Sequence, residues 1–169
     1  MYRKDYILFI IEQFARLLKK IIARILNRDY DDAAAMIEQI YRERLGLNSD
    51  LINRFSYKYL MKMQSIDPEF YAARCLILAR LLQAESRIFY EQENYRESLE
   101  RGVKSLQVLS ALFDEGQEFD VQEFDIDVRE LQETVSEGAK KLGLESDAVQ
   151  TLIDATKKLL APEQPRNDE

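Results

Sequence analysis

Apolar residues recur along this chain at helical spacing almost from end to end. From Glu12 onward, Glu12, Arg16, Lys20, Arg24 and Arg28 follow one another at i+4, while Ile11, Phe14, Leu18, Ile21, Ile22 and Ile25 take the opposite face. This predicts an amphipathic helix ending near Asn27. A second helix, "YDDAAAMIEQIYRERL", is expected after Asp29 as N-cap, with Ala33, Ile37, Ile40 and Tyr41 inward and a stop at Gly46. Its short connection to the first makes the two antiparallel. A third runs from about Asp50 to Met63. In "SIDPEF", Asp67 reads as an N-cap and Pro68 as the first residue of a fourth helix reaching about Glu91. That helix is rich in Leu, Ile and Ala from Ala72 to Ala84, so it is expected to be the central, most buried one.

The pattern continues through Asn94 and Glu97, which resemble a capping box, into a fifth helix carrying Leu99, Val103, Leu106 and Ser110 to about Asp114. Gly116 breaks it. Val121, Phe124, Val128, Leu131, Val135, Gly138 and Leu142 then alternate three and four residues apart, as in a heptad seam, and predict a sixth helix. A seventh, from about Asp147 to Leu160, carries Val149, Leu152, Ile153, Thr156 and Leu160 and ends before Pro162. The expected fold is therefore all-α, about seven helices in antiparallel hairpins within one domain, residues 1–161. The polar, proline-containing stretch 162–169 is expected to be a disordered tail.

The segment "LGLNSD" at 45–50 returns as "LGLESD" at 142–147. Gly46 and Gly143 suit the left-handed position just past a helix, Leu47 and Leu144 can fold back on the preceding turn, and Ser49 and Ser146 can cap the next helix. The repeat is expected to mark two helix-to-helix corners rather than a binding motif.

Two resemblances follow from local sequence. "LLQAESRIFY" followed by "QENYRESLERGVKSLQVL" places Ser86, Phe89, Tyr95, Ser98 and Ser105 at offsets similar to those of a tetratricopeptide (TPR) helix pair. "NRDYDDAAAMI" supplies Tyr30 and Ala33 at matching places, with Arg24 standing where the first-helix aromatic would be and Gly102 departing from the second-helix aromatic. The spacing from Tyr30 to Tyr95 differs from that of Gly46 to Gly143, so the copies are not in register. The resemblance implies TPR-like hairpins in a right-handed array, with the last two helices as a C-terminal cap. Asp5, Tyr6, Ile11, Glu12, Gln13, Phe14, Tyr30, Ala33, Leu45, Gly46 and Leu47 also resemble an uncharacterised bacterial all-helical family of unknown function, which brings no functional residues with it.

Composition narrows the chemistry. The chain has 169 residues, 46% of them hydrophobic, and only five Gly and three Pro, too little turn punctuation for a sheet protein. A net charge of -7 disfavours nucleic acid as a partner. The absence of histidine removes the commonest general base and metal ligand. Cys75 is single and lies in an apolar run, which rules out an intrachain disulfide and fits a reducing, cytoplasmic setting. No P-loop, dinucleotide fingerprint, HExxH or GxSxG occurs, so neither cofactor nor metal is expected and the chain reads as a non-enzyme. The charged apolar opening segment fits neither a secretory signal nor a membrane-spanning helix.

Charge is unevenly spread. Between residues 114 and 137 ten carboxylates face one Arg129, a local charge of -9, which reads as a solvated acidic face. In the first helix Arg3, Lys4, Arg16, Lys19, Lys20, Arg24 and Arg28 outweigh Asp5 and Glu12 by +5. Packing of its apolar face in the core is favoured over membrane docking. Tyrosine offers broad contact area with a polar handle, so Tyr57, Tyr59 and Tyr71 are candidate partner-binding residues, with Arg16, Lys20 and Arg24 as a basic complement. The expected function is a scaffold or protein-interaction module that binds an unidentified protein or peptide. The alternatives are a structural homodimer through the sixth-helix stripe or the first helix, and a peripheral membrane protein using its basic first helix.

Overall fold

The computed structural model describes residues 2–144 and 146–160, with the backbone alone for residues 2 and 3. The expected tail, 162–169, lies outside the described residues. Among these, eight α-helices and three short 3₁₀ turns occur and no strand: α1 (Tyr2–Leu26), α2 (Tyr30–Leu45), α3 (Ser49–Arg54), α4 (Tyr57–Met63), α5 (Tyr71–Glu91), α6 (Tyr95–Asp114), α7 (Val128–Lys141) and α8 (Asp147–Thr156).

The fold is organised around α5, which is buried on nearly every side from Ala73 to Ser86. It packs against α1, α2, α6 and α7. Its closest partner is α6, and small residues make the approach possible. Ser86 Oγ donates to the Ser98 carbonyl at 2.7 Å and Ser98 Oγ returns the bond to the Ser86 carbonyl at 2.8 Å. One turn further, Gly102 leaves room for Val135, whose Cγ2 would stand 2.7 Å from a Cβ at that position. Ser105 Oγ then donates to the Ala79 carbonyl at 2.7 Å. On α1, Phe14, Leu18 and Ile21 enter the core, and on α2 Ala33, Ile37, Ile40 and Tyr41 do so, both as the sequence pattern predicts.

Three boundaries differ from expectation. The helix foreseen from Asp50 to Met63 is two, because Phe55 and Ser56 are extended and end α3 before α4 begins. Pro68 does not start α5: Asp67 Oδ1 accepts from Glu69 N–H and the Phe70 N–H bonds the Asp67 carbonyl, closing a turn, and the helical ladder begins with Arg74 N–H to the Phe70 carbonyl. The heptad-like stripe also spans two elements. Val121 and Phe124 belong to a 3₁₀ turn, Asp125 adopts a left-handed conformation, and Asp127 caps α7 by accepting from Glu130 N–H at 3.0 Å.

The two LGL corners hold, with different details. Gly46 and Gly143 have φ of +63° and +66°. At the first, Leu47 N–H reaches the Tyr41 carbonyl at 2.8 Å and the Leu47 side chain is buried. At the second, Leu144 N–H reaches the Ala139 carbonyl at 2.8 Å, yet the Leu144 side chain stays 49% exposed. Ser146 caps α8 as foreseen, accepting from Val149 N–H. Ser49 does not cap α3; Asn48 does, through Oδ1 to Leu51 N–H, and both Ser49 N–H and Oγ bind the Glu38 carboxylate instead.

Candidate functional site

The tyrosines singled out from the sequence separate in space. Tyr57 on α4 and Tyr71 at the start of α5 line one cleft of about 410 Å³, with Met61 in its wall and Lys58, Lys62 and Glu115 as its charged groups. The cleft exists because α4 is only two turns long: its i, i+4 pairs Tyr57/Met61 and Lys58/Lys62 all reach the same hollow beside α5 and the end of α6. Tyr59, two residues on, faces elsewhere; it is 57% exposed and its ring lies 5.6 Å from that of Phe55. The basic residues Arg16, Lys20 and Arg24 are exposed on α1 and line no part of this cleft. Arg24 sits 4.0 Å from Asp32 across the α1–α2 hairpin.

Tyr71 Oη donates to the Glu115 carboxylate at 2.9 Å. Burial, with neighbouring Cys75 and Glu115 adding to it, raises the phenol's pKa, so Tyr71 is a neutral hydrogen-bonding group. Cys75 lies directly beneath, fully buried, its thiol pushed up to about 12 by burial. It is a packed apolar group with no thiolate character.

A second polar constellation was not picked out as a site from the sequence. Tyr41 on α2 donates its phenol proton to Glu85 on α5, and Arg101 on α6 stands 3.3 Å from the same carboxylate. All three are buried. Burial raises the pKa of Glu85 and of Tyr41, the latter strongly. The guanidinium of Arg101 also lies over the Phe89 ring, 5.8 Å from its centroid. The signal for this network was present in "LARLLQAESRIF": on a helix expected to be buried all round, each polar residue must be buried too and needs a partner. The arrangement ties α2, α5 and α6 together.

The chain belongs to no family that a comparison identifies. No family model, curated protein or solved structure matches it. The resemblance to an uncharacterised bacterial family therefore gains no support beyond the residues that suggested it, and what is established is an all-helical protein. Among the described residues no group of His, Cys, Asp and Glu is placed to hold a metal ion. No helix among them is long and apolar enough to cross a membrane.

Proposed function

We propose that this protein is a non-catalytic interaction module, TPR-like in its paired hairpins, that binds a short acidic segment of another protein in the Tyr57–Tyr71 cleft. The observation that carries this reading is the cleft itself. Two tyrosines and Met61 supply the broad, rigid contact area typical of binding hot spots, and Lys58 with Lys62 adds a positive edge to a molecule that is acidic overall. The TPR-like part rests on corner geometry. At the α1–α2 turn, Arg28 is left-handed and Asp29 N–H bonds the Arg24 carbonyl at 2.8 Å; at the α5–α6 turn, Glu93 is left-handed and Asn94 N–H bonds the Phe89 carbonyl at 2.8 Å. Tyr30 and Tyr95 follow these corners, and Ala33 and Ser98, three residues on, are both buried.

The test is affinity capture from native cell extract with crosslinking, comparing wild type with Tyr57→Ala/Lys58→Glu. Proteins held by the wild type and lost by the variant support the cleft; the same proteins on both, or background alone on the wild type, overturn it.

One observation favours a second reading, self-association through α1. Its first turns leave Tyr6, Leu8 and Phe9 each about half exposed on an unusually apolar helix end. The stripe on α7, by contrast, is already buried within the chain at Val128, Leu131 and Val135. A monomer by light scattering at tens of micromolar removes the self-association reading.

A further inference from the structure

The face of α1 that turns away from the core has an order of its own. Asp5, Phe9, Glu12, Arg16, Lys19 and Ala23 follow one another at alternating spacings of four and three residues, the seam of a two-helix coil, and all six are exposed. Phe14, Leu18 and Ile21 take the opposite, buried side. The charges along the seam are sorted, both acids preceding both bases, and none of the four has an ion-pair partner among the described residues. Acids towards the start of a helix and bases towards its end also suit the helix dipole, but that effect is confined to the first and last turns. Glu12 and Arg16 each lie ten residues from an end of α1, Tyr2–Leu26, where the dipole gives no reason for their order.

We propose that this face binds the same face of a second copy, the two α1 helices running antiparallel about a two-fold axis at the level of Phe14, the midpoint of the helix. The inference rests on the self-association reading and adds orientation and register to it. Opposed residues are then those equidistant from Phe14. Glu12 meets Arg16 of the second copy, and Arg16 meets Glu12 of the second copy. Phe9 packs on the Lys19 stem of the second copy with the ammonium near its ring, and Asp5 stands at the small Ala23. A parallel pair would set Glu12 against Glu12 and Arg16 against Arg16. An anionic lipid surface would attract the bases, but Asp5 and Glu12 stand one turn to either side of Phe9, so inserting that ring would carry two carboxylates onto like charge. One patch used twice closes the assembly at two copies. With Phe9 and Ala23 as the seam's apolar members and Leu8 at its edge, the dissociation constant is expected on the order of 1–10 μM.

Sedimentation velocity of the full chain at tens of micromolar is expected to show a dimer. Glu12→Arg gathers four guanidinium groups at the centre of the pair and Arg16→Glu four carboxylates, so each variant alone should associate at least about tenfold more weakly. An equimolar mixture of the two should recover the dimer, because in the mixed pair every acid again meets a base. Orientation is read by oxidative crosslinking: Phe9→Cys mixed with Lys19→Cys should link, and neither variant should link to itself, the native Cys75 being buried. All four substitutions are at exposed positions, and circular dichroism checks that the variants stay helical. A monomeric wild type overturns this inference together with the self-association reading, and a monomer that co-sediments with phosphatidylserine vesicles assigns the face to lipid instead. A wild-type dimer that ignores both charge reversals, that does not return in the mixture, or that links Phe9→Cys to itself overturns the antiparallel pairing alone.

Discussion

Arg28, Glu93 and Asp125 carry positive φ without being glycine, each at the end of a helix or turn. In all three cases two backbone hydrogen bonds close the stop, for example Glu93 N–H to the Tyr90 carbonyl and Asn94 N–H to that of Phe89. The left-handed conformation is thus imposed by the corner and strained for a residue with a Cβ. Arg28→Gly and Glu93→Gly should each raise stability by about 0.5–1 kcal/mol in urea unfolding, the relief of strain exceeding the extra entropy of glycine in the unfolded chain. Gly46→Ala and Gly143→Ala should each cost about 1 kcal/mol, and wholly through backbone conformation, since nothing lies within 4 Å of a Cβ at either site. The buried Tyr41–Glu85–Arg101 group behaves differently, because its stability depends on charge. Arg101→Met leaves Glu85 with the phenol alone and should cost about 3–5 kcal/mol, whereas Tyr41→Phe/Glu85→Met/Arg101→Met, which removes every member, should lie far closer to wild type. Glu85 also sets a pH slope. Its folded-state pKa is raised, so the folded protein binds the proton more tightly than the unfolded chain, and stability must fall as pH rises above the ordinary glutamate value of 4.5 towards the folded one. Wild type should therefore lose stability relative to Glu85→Gln over that interval in parallel denaturant titrations. A difference that does not change with pH would show that Glu85 titrates alike in both states.

At the scale of elements, the α5–α6 pair is held by small residues, and its tightest point is Gly102. Alanine there would gain helix propensity in the middle of α6, yet its Cβ would meet Val135 Cγ2 at 2.7 Å and Ser86 Oγ at 3.1 Å. Val135 is itself fully buried on α7, so it has little room to retreat. Overpacking should win, with Gly102→Ala net destabilising by about 1 kcal/mol or more, and Gly102→Ala/Val135→Ala recovering part of the loss in thermal melts. The same pair shows where sequence reasoning reaches its limit. Periodicity placed Leu106 correctly in the core, but Leu99, Val103 and Ser110 of the same stripe are half-buried, and the closest contact runs through Ser98, Gly102 and Ser105, of which the helix-pair offsets in the sequence picked out the two serines but not the glycine. The division of the stripe at 121–142 was hidden too: a 3₁₀ turn has a three-residue repeat, so Val121 and Phe124 keep the rhythm of the helix beyond Asp125. Asp127 with Glu130 did carry the true start of α7, in the spacing of a capping pair. In the candidate site, Tyr57 and Tyr71 were legible as amphipathic groups, but their meeting, and the departure of Tyr59, depend on the break at Phe55–Ser56, which neither Gly nor Pro announces.

Across the whole molecule, the acidic segment is amphipathic as well as charged. Phe124, Ile126 and Val128 are buried while Glu123, Asp125 and Asp127 are exposed, so apolar contacts, including the Phe14–Phe124 pair at 6.3 Å, hold carboxylates together at the surface. Some of them find cations: Asp125 lies 3.4 Å from Arg80 Nη2, Glu130 is 2.8 Å from Arg87 Nη1, and Asp114 is bound by Lys158. Each of those pairs has a solvent-exposed carboxylate and contributes at most about 1 kcal/mol, and salt weakens it. The opposing term is mutual repulsion within a segment of local charge -9, in a chain already at -7. Folding concentrates that charge, since the unfolded chain can spread it out. Repulsion acts among many groups at several ångströms and is screened by the same ions, over a Debye length of about 10 Å at 0.1 M salt. With ten carboxylates involved and few of them paired at close range, screening should remove more repulsion than attraction. Raising NaCl from about 10 to about 150 mM should therefore increase the melting temperature by a few degrees. Glu118→Gln/Glu123→Gln, which lowers the charge without touching a close ion pair, should raise the melting temperature at low salt and shrink the response to salt. A melting temperature that falls with added salt would mean that the three surface pairs outweigh the repulsion, and that the acidic segment is held in place by its cations rather than by Phe124, Ile126 and Val128.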